Sequence, residues 1–191
     1  MNSFYAQSEL AGLGLSSCGE NVRISRKASI YGAKDIRIGD NVRIDDFCIL
    51  SGKISIGNFI HIAAYTALYG GDKGIVIEDF ANLSSRVSVY SISDDYSGES
   101  MTNPMIPDKY KNITSEPVVI QKHSIIGCGC VVLPGTTIKE GSAFGALSLI
   151  NKNSNEWSIN VGIPFKEIKK RSKQALELEQ KFIEEREYRE T

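Results

Sequence analysis

This chain is short of several things from which sites are often built. Its 191 residues include two histidines, one tryptophan, three methionines and five prolines. Neither sign of charge dominates: 22 Lys and Arg face 23 Asp and Glu, a net charge of −1. Without a basic run, nothing points to a nucleic-acid partner. No apolar stretch is long enough to cross a membrane, and the N-terminus lacks the charged and hydrophobic parts of a signal peptide. The four cysteines follow no metal-ligand spacing. Even Cys128-Gly129-Cys130 is expected to carry free thiols of a reducing cytoplasm rather than metal or redox chemistry. Neither a P-loop nor a dinucleotide fingerprint occurs. A nucleotide would therefore enter only as part of a coenzyme or a substrate.

What the chain has is a period of six. Aliphatic residues recur as Ile38, Ile44, Leu50, Ile56, Ile62 and Leu68, resume as Ile77, Leu83 and Val89, and run again as Ile120, Ile126, Val132, Ile138, Phe144 and Ile150. Four positions after most of them stands a slim residue: Cys48, Thr66, Ala81, Val87, Ser124, Cys130, Thr136, Ser142, Ser148. Six is neither a helical period nor plain strand alternation; it is the hexapeptide spacing of a parallel β-helix. One unit holds a short strand and a corner, and three units make a triangular coil of eighteen. The aliphatic residue points into the prism and the slim one fills the corner. Ile38-Gly39-Asp40-Asn41 recurs eighteen residues on as Ile56-Gly57-Asn58-Phe59. About six coils follow, stacked roughly 4.8 Å apart. No coil buries its apolar face alone, so the core is one column.

Departures from the period mark what lies outside the column. Three extra residues fall near Gly70 to Gly74, and twenty-five fall between Ile77 and Ile120 beyond one coil. That excess, residues 91–117, carries Ser97-Gly98, Asn103-Pro104 and Ile106-Pro107, which punctuate loops. A loop of such length in a compact domain is commonly functional, and this one holds Asp94, Asp95, Tyr96 and Tyr110. Residues 1–16 read as a capping segment with a short helix whose apolar side is Phe4, Leu10 and Leu13. The β-helix spans 17–163. From 164 the period stops, and Ile168, Ala175, Leu176, Leu178 and Phe182 among charged neighbours read as an amphipathic helix over 164–191.

The segment from Ile120 to Lys166 resembles the left-handed β-helix, hexapeptide-repeat acyltransferases. Ile126-Gly127-Cys128-Gly129-Cys130-Val131-Val132-Leu133-Pro134-Gly135-Thr136-Thr137-Ile138 is similar to that family's IGxGxxVxPGxxI segment. Gly145 to Lys152 is similar to its GAGSVVTK coil, and Gly162-Ile163-Pro164-Phe165-Lys166 to its GNPAK exit. The resemblance implies a left-handed coil, a homotrimer with a site in each cleft between columns, and acyl transfer from coenzyme A, with acetyl-CoA the expected donor and no metal. Residues 43–48, 63–71 and 94–99 resemble a branch acting on sugars in surface-polysaccharide pathways such as O-antigen synthesis. That branch includes N-acyltransferases for nucleotide-linked amino-deoxy sugars.

Members that acylate hydroxyls place a histidine seventeen residues after the aliphatic residue opening the loop-bearing coil. Here that position is Asp94. A hydroxyl needs a base, whereas a neutral sugar amine carries its own lone pair. Asp94 is therefore expected to orient the amine or act as a weak base, and an amine is preferred to a hydroxyl as acceptor. His61 precedes the inward Ile62 and so turns outward, where it could be a base, a substrate ligand or a surface residue. Glu78, Ser84, Asp95 and Tyr96 are candidates for substrate binding. By position in the family, Gly127, Gly145 and Ala146 would admit the pantetheine arm, and Lys152 and Lys166 would meet the phosphates. Ser148 has the family position and also the inward slot, so cofactor and core roles both stand. His123 reads as structural. A sugar O-acetyltransferase using a histidine, and a non-catalytic trimeric scaffold, are the competing readings.

Overall fold

A computed structural model describes residues 3–190. Met1 and Asn2 of the expected capping segment, and Thr191 at the end of the C-terminal one, lie outside them. The six-residue period becomes three flat faces of parallel strands, each with its own column of inward side chains. On the first face Cys18, Ile38, Ile56, Ile77, Ile120 and Ile138 stand in register. The second aligns Ile24, Ile44, Ile62, Leu83, Ile126, Phe144 and Asn160. The third aligns Ile30, Leu50, Leu68, Val89, Val132 and Ile150. Six turns are complete, and Asn160 belongs to a partial seventh. Nearly all these inward aliphatics are fully buried, each contributing about 1.5–3 kcal/mol by leaving water.

The recurrent Gly-Asp/Asn pair has a stacking explanation. Asp40 Oδ1 accepts a hydrogen bond from the Glu20 amide at 2.7 Å, Asn58 Oδ1 accepts from the Asp40 amide at 2.8 Å, and Asp79 Oδ1 accepts from the Asn58 amide at 2.7 Å. Each acceptor satisfies a backbone donor of the turn below. A Cβ on Gly39 would approach Asn58 Oδ1 to 2.6 Å and one on Gly57 would approach Asp79 Oδ1 to 2.3 Å, so the residues before Asp40 and Asn58 are glycine, whereas Glu78 precedes Asp79.

The next corner position takes a left-handed backbone: Asn21, Asn41, Phe59, Phe80, His123 and Trp157 all have φ between 48° and 60°. For Phe and Trp this conformation costs energy, and stacking offsets it. Phe59 lies 4.9 Å from Phe80, and Phe80 lies 5.3 Å from His123. Helix α1, Gln174–Glu190, covers this ladder. Phe182 presents its edge to Phe59 at 5.3 Å, and Glu179 accepts from His123.

The ends depart from expectation in two respects. The strand Lys166–Lys170 pairs antiparallel with Ser158–Val161, so Ile168 is in a strand and the helix starts only at Gln174. At the other end, the helical segments are Gln7–Leu10 and Ala11–Leu13. Leu10 is buried there, but Phe4 is outside them, in a bridge to Ser25.

Candidate active site

The loop over 91–117 is tied to the column at its neck. Ile92–Ser93 pairs antiparallel with Thr114–Ser115, the Ser91 hydroxyl donates to the Gly70 carbonyl, and the Glu116 amide donates to the Ser91 carbonyl at 2.9 Å. Between loop and third face lies a cleft of about 930 Å³. Its wall is Ser51, Tyr69, Tyr90, Val131 and Leu133 from the column, and Ile92, Ser93, Asp94, Tyr96, Asn103, Pro104, Lys111 and Ile113 from the loop. The neck hairpin thus delivers Asp94 into the cleft at its end. Among these lining residues Asp94 is the anion and Lys111 the cation.

Asp95 does different work from its neighbour. Its carboxylate accepts from the Ser97 amide at 2.9 Å, the Ser97 hydroxyl at 2.8 Å and the Ser100 hydroxyl at 2.7 Å. These bonds, the Ser97 amide first, hold its carboxyl below the usual value. Asp95 folds the loop and leaves Asp94 and Tyr96 exposed in the cleft.

The other acceptor candidates lie elsewhere on a single column. Ser84 follows the second-face strand Asn82–Leu83, and its peptide group is used in stacking: the amide donates to Ile126 O at 2.9 Å and the carbonyl accepts from Thr66 Oγ1 at 3.0 Å. Glu78 Oε2 accepts from the Lys122 amide at 3.1 Å, a contact between turns. His61 lies on the second face and donates through Nε2 to Asp45 Oδ2 at 2.8 Å, while Arg43 Nε donates to Asp45 Oδ1 at 2.7 Å. Burial pushes the Asp45 carboxyl up, but these two hydrogen bonds and the charges behind them outweigh it and hold the group low.

On the expected coenzyme track, geometry separates the candidates. A Cβ on Gly127 would stand 2.6 Å from the Phe144 carbonyl oxygen, and one on Gly145 2.8 Å from Val161 Cγ1. Close stacking of turns therefore demands both glycines before any ligand is considered. Ser148 is 1% exposed and its hydroxyl donates to the Gly145 carbonyl at 2.7 Å. Of its two readings, this burial and this bond favour the core one. Ala146, Lys152 and Lys166 are exposed, with the Lys152 ammonium 5.3 Å from the Phe165 ring centre. Of the thiols, Cys48 is pushed up to about 11 by burial, and burial raises Cys130 as well. Neither buried thiol is a nucleophile at neutral pH.

No protein-family model matches the chain. A dTDP-4-amino-4,6-dideoxy-D-glucose acyltransferase of Escherichia coli is 52% identical over 177 residues, 91% of this chain and 92% of the relative. The chain belongs to the hexapeptide-repeat acyltransferase family. Another member, the N-acyltransferase AntD of Bacillus cereus, superposes with a TM-score of 0.96 at 51% identity, covering 98% of this chain and all of AntD in its complex with dTDP and 3-hydroxybutyryl-CoA. AntD has also been solved with dTDP-4-amino-4,6-dideoxyglucose and coenzyme A, and with an aspartate or a serine replaced. WbbJ of Escherichia coli (strain K12), named for lipopolysaccharide biosynthesis and O-acetyl transfer, is 26% identical over 77% of this chain and 74% of its own length. The coil is thus left-handed, and this hexapeptide-repeat acyltransferase is an enzyme that uses a coenzyme A thioester. Among its described residues no helix is long and apolar enough to cross a membrane.

Reading the sequence missed the column side of this acyltransferase's cleft. Tyr69 and Tyr90 stack with ring centres 5.0 Å apart, and Lys111 comes back to the cleft from the far arm of the loop. The signal for the tyrosines was present, since each follows an inward Leu68 or Val89. The three extra residues near Gly70 hide that they share a register.

Proposed function

We propose that this chain transfers an acyl group from an acyl-CoA, acetyl-CoA in the first instance, to the amino group of a dTDP-linked amino-dideoxy sugar. The observation that carries this reading is Asp94, a carboxylate delivered into the cleft where hydroxyl-acylating members are expected to hold a histidine. The relatives support it, since the curated one is named for such a sugar and AntD binds that sugar nucleotide with coenzyme A.

The chemistry needs little from the protein beyond position. The neutral amine attacks the thioester carbonyl carbon, a C–N bond forms, and the carbonyl oxygen becomes an oxyanion that backbone N–H groups can stabilise. Collapse breaks the C–S bond and releases coenzyme A thiolate. The nitrogen, now positively charged, loses its proton to that thiolate or to water. Asp94 accepts a hydrogen bond from the amine before attack and stabilises the cationic nitrogen afterwards. Lys152 and Lys166 meet the coenzyme phosphates. The aspartate and the serine replaced in AntD make Asp94 and Ser84 the pair to alter here.

The active enzyme is a homotrimer, with each site shared between neighbouring columns. The exposed corner residues Phe47, Tyr65 and Leu147 support association. The free cysteines support a cytoplasmic location, and the product serves surface-polysaccharide (O-antigen) synthesis. Incubation with acetyl-CoA or 3-hydroxybutyryl-CoA and a panel of sugar nucleotides, read by mass spectrometry, tests the proposal. The expected product is an amide; acylation confined to hydroxyl-only sugars overturns it. The His61–Asp45 pair favours a second reading, a sugar O-acetyltransferase, because a carboxylate-held imidazole is the arrangement that hydroxyl activation uses.

A further inference from the structure

Both departures from the six-residue period meet at the neck of the loop. The strand Ala67–Ile77 holds the three extra residues, and the neck starts against it. Ser91 is fully buried and engages every polar group it has. Its amide donates to the Tyr69 carbonyl at 2.9 Å, its hydroxyl donates to the Gly70 carbonyl, and its own carbonyl accepts from the Glu116 amide at 2.9 Å. Gly71 has a φ of +49°, and a Cβ on it would stand 3.4 Å from Ile92 Cβ, so Ile92 is seated against bare backbone. These contacts fix the chain up to the Ser93–Thr114 pair, and Asp94 follows at once. A second fixed point lies just beyond it. The Asp95 carboxylate gathers the Ser97 amide, the Ser97 hydroxyl and the Ser100 hydroxyl, and the Ser97 hydroxyl accepts from the Glu99 amide at 3.1 Å. Gly98, with φ +85°, turns the chain within this knot. Asp94 and Tyr96 line the cleft and Asp95 does not.

We propose that Asp95 is a positioning residue for the acyl transfer: its knot, with the Ser91 latch on the near side, holds the Asp94 carboxylate where the acceptor amine arrives. The inference rests on the reading of Asp94 given above. Sequence offers Asp95 as a substrate ligand, but its oxygens are engaged by three donors of its own loop, so it acts through its neighbour. Position is what the reaction asks of Asp94, which must stay within hydrogen-bond reach of the nitrogen before and after attack. A displacement of about 1 Å at such a group costs on the order of a hundred-fold in rate. The three extra residues near Gly70 gain a part as well, since they supply the carbonyl and the bare backbone on which the neck rests.

Steady-state kinetics of the whole enzyme, with acetyl-CoA and a dTDP-linked amino sugar, test the assignment. Asp95→Ala should lower kcat about ten- to a hundred-fold and leave the KM for acetyl-CoA unchanged. Asp95→Asn keeps an oxygen for the Ser97 amide and gains an NH2 that can donate to the two hydroxyls, so it should recover most of that loss. In an Asp94→Asn background Asp95→Ala should cost little more, because no carboxylate is left to position, and the two effects fail to multiply. Ser91→Ala should lower kcat several-fold and lose its effect in the same background. Melting curves show whether each variant is folded. If Asp95→Ala is not, the pair Ser97→Ala and Ser100→Ala carries the test, with a loss of kcat in the same direction. An unchanged kcat for Asp95→Ala, or its full loss repeated on top of Asp94→Asn, overturns the positioning role alone. So does an Asp95→Asn as poor as Asp95→Ala, which would put the Asp95 charge on the substrate itself. An Asp94→Asn enzyme with near-normal turnover overturns the reading of Asp94, and the positioning role falls with it.

Discussion

His123 Nε2 donates to Glu179 Oε2 across 2.7 Å, joining the corner of the fifth turn to the C-terminal helix. Lys122 Nζ reaches the other carboxylate oxygen at 2.6 Å. Burial alone would raise the Glu179 carboxyl, but hydrogen bonds from Lys122 and His123 outweigh it, so its folded pKa lies below its ordinary 4.5. A depressed carboxyl stabilises the fold above its unfolded pKa and loses that contribution as pH falls through the folded value. Glu179→Gln should therefore cost about 1–2 kcal/mol at pH 7. The gap in melting temperature between the two proteins should close as pH drops below about 4.5. A gap of the same size at pH 3 and pH 7 would falsify the assignment.

Gly141 interrupts the same aromatic ladder for a steric reason. Its φ is +67°, and a Cβ there would stand 2.3 Å from Trp157 Cδ2. Gly141→Ala should cost about 1–2 kcal/mol for the left-handed backbone and about 1–3 kcal/mol more for overpacking the indole. Gly14→Ala is the matched control, because its φ is +71° and nothing lies within 4 Å of its Cβ position. Urea midpoints measure both; equal midpoints would show that Trp157 moves aside freely.

The column was legible because one requirement, an inward apolar side chain at each strand, repeats without exception along Ile38 to Leu68 and Ile120 to Ile150, with Phe144 the one aromatic member. What decorates the column was not. Phe59, Phe80 and Trp157 take a left-handed backbone that sequence preference reserves for Gly and Asn, and stacking across turns tens of residues apart makes this tolerable. Lys166–Lys170 hid because an edge strand exposed on every residue shows no alternation, and its charge suggested a helix. At the site, Asp94 was legible by counting from Ile77. Ser148 was ambiguous because one position serves both the inward slot and the family motif.

Asp94 and His61 divide the two chemistries. Under amine acylation, Asp94→Asn should lower kcat/KM about 10²–10⁴-fold, with coenzyme A affinity unchanged. His61→Ala should lower it less than ten-fold, since the imidazole is bound to Asp45 on another face of the column. Steady-state kinetics with a dTDP-linked amino sugar give both numbers. A loss of several orders of magnitude for His61→Ala, with Asp94→Asn near normal, would transfer the chemistry to the His61–Asp45 pair and favour a hydroxyl acceptor.

Ser148 and the two lysines of the coenzyme track should respond in opposite ways. Ser148→Ala removes a buried hydroxyl that donates to Gly145 O. That carbonyl keeps its contact with Cys130 Sγ at 3.1 Å, so about 1 kcal/mol of stability is lost and the KM for acyl-CoA stays put. Lys152→Ala and Lys166→Ala change exposed cations, and apart from the Lys152 contact with the Phe165 ring, worth about 0.5–1 kcal/mol, little stability is lost, while the KM for acyl-CoA rises several-fold. Because the phosphates are met at the surface, that rise should shrink as ionic strength climbs from about 0.01 M, where the screening length is roughly 30 Å, to about 1 M, where it is roughly 3 Å. A salt-independent KM in the unaltered enzyme would separate these lysines from the phosphates and move the coenzyme off the Gly145 to Lys166 edge.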